Sequence, residues 1–314
     1  MVQARISMHK RELKKNKLTV SAVIIMIVLI AYAILLFGLL AWGIMVSLQD
    51  ADKAHNLGAF YQLPIDFQPH YEDILLNFAM AGKYGQPIFF ENILSNTLIY
   101  AIGSAFLKTL VPCLTAYACA RFNFKTSKIV YTAILTAMII PVVGSLPSET
   151  KLIYSFQVNG EYLIVDNLIG VCLLKASMTG LYFFVMYASF SSMPKDYFEA
   201  AKIDGANNFE MLFKIAFPLI KNVFFTIFII NFVEFWNDYQ TPMIYLPTKP
   251  TLGYTVFATL NGRISPIDPE LTPVFRSQPY LMSIVIISAV PVVTLFLIFK
   301  DKFMGSLTMG GIKG

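Results

Sequence analysis

Long apolar runs separated by short polar stretches organise this chain. Residues 19–48 carry no charged side chain. A helix needs about 20 apolar residues to cross a bilayer and rises about 1.5 Å per residue. This run would therefore extend roughly 45 Å, more than the hydrocarbon core. It exceeds the apolar core of a secretory signal, and no small-residue cleavage site follows it, so the pattern predicts a retained first span. Further spans are predicted at 93–120, 129–146, 167–190 and 277–299. Lys108 interrupts the second and Lys175 the fourth, while Pro141 and Pro291 lie in the third and the last. Proline is tolerated in such helices when neighbouring groups satisfy the freed carbonyl. The uncharged run 222–233 is only about half a span, and a re-entrant segment is one reading of it. Extension to 215–236 places Lys221 and Glu234 near the ends of a full crossing. The full crossing is preferred because charge then sorts by side. The expectation is an all-α, polytopic membrane protein with six transmembrane helices.

Charge and composition sharpen this picture. The 314 residues are 56% hydrophobic and 14% charged, with a mean hydropathy of +0.63. A soluble domain carries roughly 25% charged residues, so lipid is the expected solvent. The net charge of +5 does not imply nucleic acid as a partner, because the basic residues follow topology. With six spans, one side holds the basic residues up to Lys17, then Arg121, Lys125 and Lys128, then Lys195 through Lys221, and finally Lys300, Lys302 and Lys313. The other side is poorer in Lys and Arg and holds most of the acidic residues. Basic loops mark the cytoplasm, which predicts both termini there and external segments at 50–91, 147–166 and 237–276. Cys113, Cys119 and Cys172 lie in apolar stretches and read as small helix residues. His9, His55 and His70 lie outside those stretches, with no metal-ligand spacing. Without a base beside a nucleophile at membrane depth, a membrane enzyme is disfavoured.

The polar stretch between spans four and five, 192–218, carries the most local information. Ser192 suits a helix N-cap and Pro194 a first turn. Asp196 and Glu199 fall in the early turns, where carboxylates favour the helix dipole. Gly205 permits a left-handed helix stop, and Asn207 with Glu210 resembles a capping box. Two short helices joined at a glycine bend are expected. Ala200 and Ala201 would allow close approach of another surface, with Tyr197, Phe198 and Ile203 supplying apolar contact. Local physics leaves two readings open: a connector on the membrane surface, or a docking element.

A resemblance bears on that choice. Glu199-Ala200-Ala201, three residues, Gly205, nine residues, then Ile215 and Pro218 resembles the EAA loop of binding-protein-dependent ABC importer permeases. Phe217 stands where that family usually has Leu. The stretch from Phe90 to Leu98, the run from Thr115 to Phe124, Phe235-Trp236-Asn237-Asp238-Tyr239 with Pro242, and the tail Gly310-Gly311-Ile312-Lys313-Gly314 are similar to family features. The likeness covers nearly the whole chain and is strongest to the carbohydrate-uptake branch, which includes the smaller maltose importer permease. External segments 147–166 and 260–278 are longer than is usual in the family.

The resemblance implies a type I ABC importer permease fold. A cytoplasmic segment, 1–18, would precede a single transmembrane domain, 19–314, with its core at 92–300. The 192–218 loop would dock in a cleft of a separate ATPase. There Glu199 would make a charged contact, Gly205 would set the bend and Ala200 and Ala201 the fit. In some relatives the tail reaches between the ATPase subunits. No G-x-x-x-x-G-K-[ST] loop occurs, so ATP and Mg would be bound by the partner. Implied partners are that ATP-binding subunit, a second permease, an extracytoplasmic solute-binding protein and membrane lipid, with no nucleic acid. The implied location is the bacterial plasma membrane, and the implied cargo a sugar or oligosaccharide. Alternatives are another solute, such as glycerol phosphate, a peptide or an anionic sugar, or an ion-driven secondary transporter. The last explains the spans and charge sorting but not the loop or the tail.

Sugar contacts combine an aromatic face with amide or carboxylate hydrogen bonds. Trp236, Asn237, Asp238 and Tyr239 offer these groups near one end of span five, either as a path lining or as an interfacial belt. Lys108 and Lys175 are either functional intramembrane charges or long stems that snorkel or pair within the bundle.

Overall fold

The computed structural model describes residues 20–49, 80–81, 87–122, 125–140, 144–261 and 277–309. The N-terminal basic segment, Pro141, most of 50–91 and of 260–278, and the 310–314 tail lie outside them. Helices dominate the described residues, with two short antiparallel hairpins. One pairs β1 (Met80–Ala81) with β2 (Pro87–Ile88), and the other pairs β3 (Gln157–Val158) with β4 (Glu161–Tyr162). Asn159 and Gly160 both have positive φ in the second hairpin, as a two-residue turn requires.

Helix α1 (Val20–Ser47) matches the first predicted span. Its apolar side chains are exposed around most of its circumference, which suits a lipid environment. Helix α2 (Phe90–Arg121) extends the second span by a few residues at its start. The fifth span is long enough for a full crossing: α8 runs from Asn208 to Trp236 as one 29-residue helix. The loop's second short helix is therefore the first turns of α8 rather than a separate element. Within it, Met211–Ala216 widens into a π-helix just before Pro218. Proline lacks an N–H and its ring crowds the carbonyl four residues back, so a wider turn relieves the conflict. The last helix, α11, covers Gln278–Met309, with its membrane-compatible part at Gln278–Phe299.

Two predicted spans change. The third becomes α3 (Lys125–Ile139), only 15 residues long. Leu146 belongs instead to α4 (Leu146–Ser155), after Gly144 turns the chain with φ +73°. The fourth divides into α5 (Leu168–Leu174) and α6 (Leu181–Ser191). Gly180 at the start of α6 has φ +126°, which an L side chain rarely adopts. In the break, the Ser177 hydroxyl accepts from the Thr179 amide (3.2 Å), replacing a helical bond. An apolar run does not reveal such a break, because the interrupting residues are small and uncharged apart from Lys175. Among the described residues, four helices meet the length and apolarity for a crossing; α3 and the α5–α6 pair are shorter.

Helices α2 and α8 pack antiparallel and share two buried clusters. The cluster at one end, the far end, gathers Ile93, Tyr100, Phe232, Phe235, Trp236 and Tyr245. The cluster at the end bearing the 192–218 loop gathers Cys113, Tyr117, Phe183, Phe190, Phe198, Met211 and Phe224. Three polar contacts fix the α2–α8 register. Tyr100 Oη donates to Asp238 Oδ2 (2.7 Å), Lys108 Nζ to Glu234 Oε1 (2.7 Å), and Asn231 Nδ2 to Thr109 Oγ1 (3.0 Å). In a lipid environment such interhelical bonds contribute about 0.6 kcal/mol each on average. All three cysteines are free, and those of α2 and α5 lie in the packed interior.

Gly103 lets α2 approach α5, because a Cβ there would stand 2.9 Å from Cys172 Sγ. Gly103→Val should lower stability in detergent by about 1–3 kcal/mol, read as a reduced melting temperature. Adding Cys172→Ala should recover part of that loss, whereas strictly additive effects would show that the two residues do not meet.

Candidate functional site

The 192–218 loop is a compact object whose two faces differ. Ser192 does not cap the following helix. Its hydroxyl donates back to the Ser189 carbonyl (2.9 Å) and closes α6 instead. Helix α7 (Asp196–Ile203) starts after Lys195, which makes no side-chain cap. Asp196 and Glu199 occupy its first turn and Lys202 its last, in agreement with the helix dipole.

Its C-terminal stop is complete. Gly205 N–H donates to Lys202 O (3.1 Å) and Ala206 N–H to Ala201 O (2.9 Å), the paired bonds of a Schellman motif. Gly205 has φ +81° and open space around a hypothetical Cβ, so backbone conformation alone selects glycine. The expected capping box then starts α8. Glu210 N–H donates to Asn207 Oδ1 (2.9 Å), and Asn207 N–H donates to Glu210 Oε2 (3.0 Å). Lys214 adds an i,i+4 ion pair to Glu210 at 2.8 Å. Both helix ends at the bend are thus satisfied within the loop, which holds its shape without a partner.

Helical spacing divides the loop's side chains. Phe198 and Ala201 turn inward and are buried. The Arg121 guanidinium, from the last turn of α2, lies 3.2 Å from the Phe198 ring centroid. This cation–π contact joins α2 to α7. Glu199, Ala200 and Gly205 face outward, as do Tyr197, Phe209 and Phe213. Ile203 is 87% exposed. Ile215 is half-buried and Pro218 exposed. The two alanines therefore part: Ala200 is on the open face and Ala201 anchors the helix to the bundle. An apolar patch around a carboxylate, on a polar loop, is the signature of an interaction surface. Sequence reasoning missed Arg121, Phe209 and Phe213. Phe209 and Phe213 lie four apart, a spacing that puts two aromatics on one helix face.

At the far end, Trp236, Asn237 and Tyr239 line a cavity of about 240 Å³ with Gly253, Val256, Phe257, Leu260 and Ser288. Trp236 is buried and its Nε1 donates to Ser288 O (3.0 Å). Asn237 Nδ2 donates to Val233 O (2.8 Å) at the end of α8. Tyr239 stacks on Phe257 with centroids 4.1 Å apart and planes at 12°. Phe257 belongs to α10 (Leu252–Leu260). That helix approaches closely because Gly253 has no Cβ; one there would stand 3.1 Å from Asp238 O. Asp238 itself does not line the cavity. Its carboxylate accepts from Tyr100 and from Thr241 N–H (3.1 Å), which ties α2 to α9 (Gln240–Tyr245). Lys108 lies apart from this cavity, paired with Glu234. Asp166 clamps the same end by accepting from Thr248 N (2.9 Å) and Oγ1 (3.0 Å). Burial pushes the neighbouring Tyr245 phenol above its ordinary range, with the Glu149 carboxylate adding to the shift, so it stays protonated.

Family comparison gives this helical bundle its class. The family described as binding-protein-dependent transport system inner membrane component matches residues 108–304. The chain belongs to that family, the permease subunits of ABC importers. Among its relatives is the arabinooligosaccharides transport system permease protein AraQ of Bacillus subtilis, 27% identical over 70% of this chain and 72% of that protein. Another is the melibiose/raffinose/stachyose import permease protein MelC of Bacillus subtilis, 31% identical over 71% of this chain and 76% of that protein. A crystal structure of a bacterial ABC transporter involved in import of the acidic polysaccharide alginate shares the fold, with a TM-score of 0.71. It is 19% identical and covers 90% of this chain and 96% of that one.

Because φ alone selects glycine at 205, Gly205→Asn should be milder than Gly205→Val. The valine variant should lose about 1–2 kcal/mol and show faster amide exchange at Gly205 and Ala206. Equal exchange in the two variants would contradict the backbone account.

Proposed function

We propose that this chain is the translocation subunit of an ATP-driven importer that moves a sugar or oligosaccharide into the cytoplasm. The 192–218 loop carries the reading. It is internally satisfied, anchored to α2 through Arg121 and Phe198, and presents Glu199, Ala200 and an apolar rim outward. That is what a docking element needs: shape held in advance and a small residue at the centre of contact. On this reading the loop end is cytoplasmic and an ATP-binding subunit supplies the energy, with ATP and Mg held there. A second permease completes the path, and a solute-binding protein docks at the far end. The chain itself performs no bond chemistry.

The sugar assignment rests on the sugar cargo named for AraQ and MelC and on the far-end cavity. The Tyr239–Phe257 stack offers an aromatic wall, and Asn237 supplies an amide beside it. Aromatic faces with one or two amide groups suit the apolar faces and hydroxyls of a sugar. Unlike Asp238, these groups are not all committed to holding the fold.

The test uses the complete complex in proteoliposomes, with ion gradients collapsed and labelled arabinotriose and raffinose as probe sugars. ATP should drive uptake in the parent complex. Ala200→Trp should cut uptake more than tenfold while leaving the permease's melting temperature unchanged, since the site is exposed. Full uptake in that variant would remove the loop from the coupling role. Uptake that follows an ion gradient and ignores ATP would replace the importer reading altogether.

A further inference from the structure

Glu234 is a carboxylate inside a membrane span, yet its side chain is 52% exposed. Its partner Lys108 is 28% exposed and lies 5.1 Å from the Phe235 ring. Lys108 sits roughly 20 Å along α2 from Arg121, so the pair is within the hydrocarbon depth and not at the loop end. Charges at that depth face a bundle interior or a water-filled space rather than lipid tails.

A second, independent feature lies in the adjoining span four. Span four breaks at residues 175–180, where Ser177 and Thr179 satisfy the chain locally and Thr179 is exposed. Non-helical backbone at membrane depth is tolerated only where protein covers it or water reaches it. Helix α6, which starts just after the break, packs against both α2 and α8. The ion pair and the residues that open α6 therefore belong to one packed group of helices, and both present exposed polar side chains.

We propose that Lys108, Glu234 and the 175–180 break line a water-filled solute path whose local charge is balanced, suited to an uncharged, hydroxyl-rich solute. This deepens the importer reading and rests on it. The Lys108 charge is neutralised at 2.7 Å by Glu234, so it does not act as an anion trap. Lys175 ends α5, where the helix's carbonyl terminus partly compensates it. Carboxylate oxygens and the Ser177 and Thr179 hydroxyls supply acceptors and donors for sugar hydroxyls.

The experiment measures thiol labelling and does not require transport, so it can fail independently of the importer reading. Thr179→Cys is introduced in the full complex in membranes, in a background with Cys113, Cys119 and Cys172 replaced by alanine. It is treated with an anionic (sulfonatoethyl) and a cationic (trimethylammonioethyl) methanethiosulfonate. Both should label it, at rates within about threefold of each other. In Glu234→Gln the anionic reagent should lead by tenfold or more, because Lys108 is then unbalanced. In Lys108→Met the cationic reagent should lead. An Ile34→Cys control on the lipid-facing α1 should stay unlabelled. Absence of labelling at 179 would overturn the water-filled path. Rates indifferent to both charge variants would remove the pair from it. A strong anionic preference with the native pair intact would overturn the balanced charge and the uncharged cargo.

Discussion

The antiparallel pairing of α2 and α8 is the constraint on which the rest of the molecule depends. Among the candidate spans these two are the most buried, and each contributes to both buried clusters. Their register is set by polar contacts at three levels: Tyr100 with Asp238, Lys108 with Glu234, and Thr109 with Asn231. Thr109 and Asn231 are fully buried, so a slip of one turn would leave that pair without partners away from water. The pair also reaches both working ends. Arg121 closes α2 against Phe198 of α7, while Trp236 closes α8 at the wall of the far-end cavity.

From that geometry follows a division of labour. The loop at one end is stiffened by a Schellman stop and a capping box placed back to back, so displacement of its outer face moves α7 and the start of α8 together. Phe198 and Ala201 pass that displacement inward, and Arg121 passes it to α2. At the other end, Asp238 ties α2 to α9, and the absent Cβ of Gly253 brings α10 against residues 236–238. The loop and the cavity thus lie at opposite ends of one packed α2–α8 pair. Span four is interrupted between α5 and α6, and α6 packs against both α2 and α8.

Much of this was legible in the sequence. Spans one, two and six follow from apolar length, because lipid imposes a length on any crossing helix, whereas span five also needs the sorting of charge by side. The glycine stop and the Asn207–Glu210 box were readable because caps are local chemistry. Three features were not. Span four reads as continuous, since Ser177, Thr179 and Gly180 do not lower apolarity enough to reveal a break. Ser192 has the right residue type for a cap but is hydrogen-bonded to the preceding helix. Among Trp236, Asn237, Asp238 and Tyr239, composition does not separate Asp238, which holds two helices, from Tyr239, which faces the cavity. That separation depends on Tyr100, more than a hundred residues away in the chain. Likewise, adjacent Ala200 and Ala201 look equivalent until the bundle decides which face is inward.

The central claim is that the exposed face of the 192–218 loop meets an ATP-binding subunit. A photoreactive amino acid placed at position 200 or 201 of the full chain, in membranes containing all its partner subunits, tests this most directly. Illumination should yield an adduct from position 200 to a subunit carrying a phosphate-binding loop sequence, and none from the inward-facing position 201. Adducts from position 200 only to lipid, or none at all in intact complexes, would contradict the account.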